Sequence, residues 1–184
     1  MVDPKILMTK DEIKLTVRKL AKEIVEKNRT IKDLAIVGIQ TRGVFIAKRV
    51  LEEIKSANPS EEANNIPFGT IDTTLYRDDF ATLEVPPPLK ETEISFNIND
   101  KNIVLIDDVL FTGRSIRAAI DQLIDFGRPK SIQLAVLVDR GHREFPIEPN
   151  FVGKKMETSR EEQVSVELEE SDGQDRVIVK QGKS

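Results

Sequence analysis

The residues best suited to chemistry in this 184-residue chain lie in one stretch, Ile103-Val104-Leu105-Ile106-Asp107-Asp108-Val109-Leu110-Phe111-Thr112-Gly113-Arg114-Ser115. An apolar run of strand character delivers two adjacent carboxylates at its carboxyl end, where open α/β sheets bind ligands. Thr112, Gly113, Arg114 and Ser115 follow where the next helix begins, and the unpaired N–H groups of a helix start make an anion site. Carboxylates beside such a cradle repel an anion unless the ligand places hydroxyls between them. A phosphorylated sugar does so: its phosphate meets the helix start and its ring hydroxyls donate to Asp107 and Asp108. A strand ending in acidic turn residues would explain the Asp pair alone, but not the ordered apolar-Asp-Asp-Val-x-x-Thr-Gly-Arg-Ser string. A second loop, Gln40-Thr41-Arg42-Gly43, also follows a buried apolar run. Backbone amides beside a guanidinium suit the pyrophosphate end of the same kind of ligand. Neither a Walker phosphate loop nor a Gly-x-Gly-x-x-Gly fingerprint is present.

Composition narrows the remaining choices. The chain has no cysteine and one histidine, His142, which removes thiolate nucleophiles, disulfides and cysteine or histidine-rich zinc sites. Carboxylates, basic residues and backbone amides are left to act. No run approaches the ~18 apolar residues of a membrane span, and residues 1–10 do not read as a secretory signal; the expectation is a cytoplasmic protein with no membrane partner. The net charge of −4 disfavours attraction to nucleic acid over the whole surface but leaves room for a local basic patch.

The elements that must position these loops alternate between strand and helix. Thr9 and Glu12 form a capping box for an amphipathic helix ending near Asn28, with Ile13, Val17, Leu20 and Ile24 on its apolar face. Its outward side aligns Lys14, Arg18 and Lys22, either as a solvated face or as a surface for a polyanion. Leu34 to Ile39 reads as a buried strand, Val44 to Ile54 as a helix, Ala57 to Pro67 as a turn-rich stretch and Gly69 to Tyr76 as a strand. Arg77 to Lys90, with Pro86-Pro87-Pro88, reads as a long mobile loop. A short strand at Ile94 to Ile98, a helix from about Arg114 to Phe126 stopped by Gly127, and a buried strand from Ile132 to Val138 complete the core. Phe151-Val152, Val164 to Leu168 and Val177 to Val179 suggest an antiparallel flap, and Glu157 to Asp175 holds eight acidic residues against one arginine. The fold class is α/β, a parallel twisted sheet flanked by helices with a small antiparallel hood. A single domain, 1–184, is expected, with its core at about 10–145 and hood strands at about 150–180.

The thirteen-residue stretch closely resembles the phosphoribosyl pyrophosphate signature of the type I phosphoribosyltransferases. Three further strings, Thr74-Leu75-Tyr76-Arg77-Asp78-Asp79, Val138-Asp139-Arg140-Gly141-His142-Arg143-Glu144 and Phe151-Val152-Gly153-Lys154, resemble the PyrR family of bifunctional pyrimidine-operon attenuators and uracil phosphoribosyltransferases. Gln40 departs from that family's usual Lys-Thr-Arg-Gly loop. The resemblance runs from the first helix to about Leu168 and implies transfer of phosphoribosyl from its pyrophosphate donor (PRPP) to uracil, giving UMP and pyrophosphate. By that resemblance Asp107 and Asp108 hold the ribose hydroxyls, Thr112, Gly113, Arg114 and Ser115 hold the 5′-phosphate, Val109, Leu110 and Phe111 belong to the same substrate-binding stretch, and Thr41 and Arg42 grip pyrophosphate with Mg²⁺ bound mainly through it. Arg77 adds positive charge there, unless it only pairs with Asp78 or Asp79. Arg140 and Val164 face the base, and His142 is structural. The resemblance also implies a homodimer or tetramer that binds pyrimidine leader mRNA when UMP is bound, with Arg18, Lys19, Lys22 and Lys27 as the RNA-facing residues. A phosphoribosyltransferase for another base, with no RNA role, remains the alternative, since the donor motif is shared across type I enzymes.

Overall fold

In the computed structural model, which describes residues 4–76 and 90–181, five parallel strands form the main sheet. Their order is β3 (Phe68–Ile71), β2 (Leu34–Ile39), β4 (Asn102–Leu110), β5 (Ser131–Asp139) and β6 (Phe151–Lys155). Because successive residues of a strand face opposite sides, the sheet feeds two separate cores. Ile36, Val104, Ile106, Ala135 and Leu137 join one cluster with helices α1 (Lys10–Asn28) and α2 (Arg42–Ala57). Ala35, Val37, Leu105, Leu134 and Val136 join the other with α4 (Arg114–Asp125), through Ile116, Ala119 and Leu123. Burial on both faces explains why β2 and the middle of β4 are apolar without interruption.

The capping box of α1 forms as its spacing predicts. Thr9 Oγ1 accepts the Glu12 N–H, and the Glu12 carboxylate accepts the Thr9 N–H at 2.7 Å. Three antiparallel strands make the hood, in the order β1 (Lys5–Met8), β8 (Arg176–Lys180), β7 (Gln163–Glu167). Met8, Val166, Leu168 and Val177 seal it onto the α1/α2 cluster. A short helix, α5 (Glu169–Asp172), links β7 to β8. Among the described residues no helix is long and apolar enough to cross a membrane.

Four expectations are corrected. Phe151-Val152 belongs not to the hood but to β6, parallel to β5, so the core sheet extends to Lys155 and β1, unforeseen, replaces those residues as a hood strand. The strand expected over Gly69 to Tyr76 stops at Ile71, because the Asp72 carboxylate takes the Thr74 N–H at 2.8 Å and bends the chain into a 3₁₀ turn, Thr74–Tyr76. Ile94 to Ile98 is not a strand. Glu93 alone bridges to Thr70, and the alternation of Ile94, Phe96 and Ile98 reflects packing on the α4 side. The turn-rich stretch contains a helical turn, α3 (Glu61–Asn64), capped by Ser60 Oγ accepting the Ala63 N–H. The expected loop at Arg77 to Lys90, with Arg77 itself, lies outside the described residues as far as residue 89.

Candidate active site

Adjacent strands β2 and β4 run parallel, with Gly38 opposite Ile106. From β2 the chain passes through α2 on one face of the sheet to β3; from β4 it passes through α4 on the other face to β5. The two strand ends therefore send their loops apart, and the gap between them is the topological switch point where such sheets bind ligands. Gly43 holds the loops at this close approach. A Cβ there would stand 2.7 Å from the Ile106 carbonyl oxygen and 3.0 Å from Asp107 Cα.

The carboxylates sit near the end of β4 and are fixed by their own backbone. The Asp108 N–H donates to Asp107 Oδ1 and the Val109 N–H to Asp108 Oδ1, each at 2.9 Å. Asp107 is 7% exposed, while Asp108 is half-buried. Beyond them a small cavity of about 20 Å³ is lined by Asp107, Val109, Leu110, Phe111, Gly113, Arg114, Ser115 and Ile116. Gly113, at φ 94°, turns the chain into α4 in the left-handed region that favours glycine. Buried Thr112 accepts the Arg114 N–H on its hydroxyl. The Ser115 and Ile116 amides lie in the first turn, where a helix offers no internal acceptor. An anion can be cradled here by main-chain donors and the positive end of α4. The Arg114 side chain is turned to Glu144, 2.5 Å away, and Glu144 also takes Arg160 at 2.5 Å from the hood side.

At the other loop, the Gln40–Thr41 peptide bond is cis. Thr41 precedes α2 without capping it through its side chain. Arg42 makes a two-pronged pair with Asp172 of α5, Nε at 3.2 Å and Nη2 at 2.7 Å. Burial works to raise the Asp172 pKa, but hydrogen bonds from Arg42, the Ser171 hydroxyl and the Leu168 N–H outweigh it and hold the group down at about 2. Behind this pair Arg49 reaches Glu170 at 2.6 Å and Asp175 at 2.8 Å, and Lys10 reaches Glu169 at 2.9 Å. Four carboxylates of the acidic terminal lobe are thus held by Arg42 and Arg49 of α2 and Lys10 at the foot of α1.

On the opposite wall the Arg140 guanidinium lies 4.0 Å from the Phe111 ring centroid and donates to Thr158 Oγ1 at 3.1 Å and the Ser159 carbonyl at 2.8 Å. His142 meets the same ring edge-on at 6.0 Å, and its Nε2 is 2.6 Å from the Thr158 carbonyl oxygen, so that nitrogen carries the proton. Phe111, Arg140 and Thr158 form one wall beside the cradle. Val164, in β7 opposite Val179, and Val109 are both half-buried against the α1/α2 cluster.

The four basic residues singled out on α1 all have partners within the chain. Arg18 pairs with Glu53 at 3.2 Å, Lys22 lies 3.7 Å from Glu26, and Lys27 is 5.3 Å from the Phe151 ring centroid. Lys19 lies 3.7 Å from Glu23 and donates to the Val152 carbonyl of β6 at 3.1 Å. Among the described residues no group of three or more His, Cys, Asp or Glu side chains could hold a metal ion. Asp107 and Asp108 are the hard oxygen donors Mg²⁺ accepts, yet two carboxylates supply only part of its octahedral shell.

Sequence reasoning missed Asp172, Thr158, Arg143 and Asp139 as parts of this site. For the last two spacing gives no signal, because Asp139 closes β5 and Arg143 lies in irregular chain, where residues four apart are not neighbours as they are on a helix.

A family model described as the phosphoribosyl transferase domain matches residues 6–171. A protein from Clostridioides difficile (strain 630) named bifunctional protein PyrR is 50% identical over 181 residues, covering 98% of this chain and 100% of that one. Another of that name, from Deinococcus radiodurans, is 46% identical over 96% of this chain and 95% of its own. Among solved structures, a hypoxanthine-guanine phosphoribosyltransferase from Bacillus anthracis superposes with a TM-score of 0.70 at 17% identity, covering 96% of this chain and 98% of that one. The hypoxanthine phosphoribosyltransferase of Trypanosoma cruzi gives 0.71 at 14% identity, covering 97% of each chain. At such identities the likeness shows the fold.

Proposed function

Because the chain belongs to the phosphoribosyltransferase family, and within it to the bifunctional PyrR proteins, we propose that it transfers phosphoribosyl from PRPP to N1 of uracil. The C1′–O bond to pyrophosphate breaks, the C1′–N1 bond forms, the N1 proton is released, and UMP and pyrophosphate leave. One observation carries this reading: the loops after β2 and β4, taken here as the two anion sites, meet beside an adjacent carboxylate pair at the switch point between those strands. That spacing of anion, hydroxyl and anion sites matches a sugar phosphorylated at both ends.

In this reading the amides of the turn into α4, Ser115 and Ile116 among them, hold the 5′-phosphate. Asp107 and Asp108 accept the ribose hydroxyls and stand beside the ring as positive charge develops on it, which is electrostatic stabilisation aimed at the transition state. Thr41 and Arg42 hold the pyrophosphate. Asp107 and Asp108 would offer oxygen ligands to a Mg²⁺ brought in with the pyrophosphate, and the ion would supply neutralisation of charge on the leaving group. Phe111, Arg140 and Val164 border the base; Arg77, the further candidate for positive charge toward the pyrophosphate unless it only pairs with Asp78 or Asp79, lies outside the described residues.

The same reading includes a second activity, UMP-dependent binding of pyrimidine leader mRNA by a dimer or tetramer, through α1. Here Arg18, Lys19, Lys22 and Lys27 would exchange partners within the chain for phosphates. Incubation with Mg²⁺, PRPP and labelled uracil should yield labelled UMP, and a gel shift with leader RNA should strengthen with UMP and weaken as salt rises. Absence of UMP above a blank sinks the first activity. A shift indifferent to UMP and salt sinks the second.

A further inference from the structure

A loop that binds phosphate with its amides must turn its carbonyls the other way, and those carbonyls need donors of their own. Residues 110–112 meet this demand from a single segment. The Leu110 carbonyl accepts the Arg140 N–H at 3.1 Å, and the Thr112 carbonyl accepts the Glu144 and Phe145 N–H groups at 2.9 and 3.3 Å. Between them the Phe111 carbonyl has a side-chain donor, Arg143 Nη1 at 2.9 Å.

Arg143 is committed inward at every nitrogen. Nε donates to the Ile147 carbonyl at 2.9 Å, Nη1 also to the Gly141 carbonyl at 3.3 Å, and Nη2 to Asp139 Oδ1 at 2.6 Å. The Arg143 and Asp139 side chains are 21% and 10% exposed. Asp139 Oδ1 also takes the Gly141 N–H at 3.0 Å, so the anchor is itself anchored. A planar fork with donors in three directions suits this position, and a lysine ammonium does not reproduce it.

We propose that Arg143 is a positioning residue for the anion cradle: aimed by Asp139, it holds the Phe111 carbonyl outward and so keeps the amides of the turn into α4, Ser115 and Ile116 among them, directed at the ligand's phosphate. The proposal rests on the reading that this loop takes the 5′-phosphate. It separates Arg143 from its neighbours of like charge, since its part in binding is to shape the loop rather than to meet the ligand.

The test compares UMP with uridine, which differ only in that phosphate, by calorimetry on the wild-type protein, Arg143→Lys and Asp139→Asn. Loss of a charge-assisted hydrogen bond should cut the preference for UMP over uridine about tenfold to a hundredfold in Arg143→Lys. The fall should be several-fold in Asp139→Asn, with the KM for PRPP rising in parallel and pyrophosphate affinity unchanged. If Arg143→Lys does not fold, Asp139→Asn carries the same comparison. A wild-type preference retained in the folded variants, or equal loss of UMP, uridine and pyrophosphate, overturns the proposal. Absence of any preference in the wild-type protein overturns the phosphate reading of the loop, and this inference with it.

Discussion

The two anion-facing ends of the crevice are built on different physics. At residues 110–115 the loop is set by directional hydrogen bonds from one neighbouring segment, residues 140–145, and its donors to a ligand are main-chain amides. At residues 40–43 the side chain expected to grip an anion is already clasped by one, Asp172, within a network of four acidic and three basic residues that runs from half-buried Arg42, Arg49 and Asp172 out to the exposed Lys10–Glu169 pair. The first end is held by geometry and the second by charge. Packing changes should therefore disturb both, whereas salt and acid should reach mainly the second.

The sharpest way to break the contrast is at the carboxylates that both ends flank. Asp107→Asn with Asp108→Asn should lower turnover at least ~10²–10³-fold, leaving circular dichroism and pyrophosphate affinity unchanged. Unfolding of that variant would make the pair structural and dissolve the division into two ends. Next in size is Gly43→Ala, which drives a methyl group against the Ile106 carbonyl and Asp107. Overpacking of this kind costs about 1–3 kcal/mol, so a lower Tm and a fall in kcat/KM for PRPP are expected together; a neutral outcome would mean the loops are not held at close approach.

The smallest effect sharpens the contrast most. Asp172 ionises in the folded chain at about 2, against an ordinary 3.8. Its contribution is therefore complete above the unfolded value, near pH 4 and upward, and disappears as pH falls through about 2. Asp172→Asn should lose roughly 0.5–1 kcal/mol at pH 7 and low salt, as partly exposed pairs do. The Tm gap from wild type should close in high salt, and should narrow below about pH 4 and close as pH falls through about 2. A gap that persists in both conditions would assign Asp172 to packing rather than charge.

Much of this was readable beforehand, for identifiable reasons. The limits of β2 and the start of α1 follow from local signals, an unbroken apolar run and a capping box. The Asp107-Asp108 pair and the turn after it were legible because strand, carboxylates and helix start are contiguous. The location of β6 was not, since no helix separates it from β5 and the alternation that marks parallel strands is missing there. Nor was the Arg42–Asp172 pair, whose members are 130 residues apart. The role of Arg143 was hidden differently: its string was noticed, but basic residues near a phosphate site suggest ligands, and only the three-dimensional direction of each N–H shows otherwise.

The hood strands lie in the order β1, β8, β7, which puts the last strand in sequence at the centre of that sheet. Neither β1 nor β7 can pair with the other, so both wait for β8 during synthesis, while β2 to β6 can already associate. The ribose and phosphate half of the crevice is therefore built on a sheet that needs nothing from β8, whereas the wall contributed by β7, with the Asp172 carboxylate that clasps Arg42, is secured only once β8 has joined its sheet.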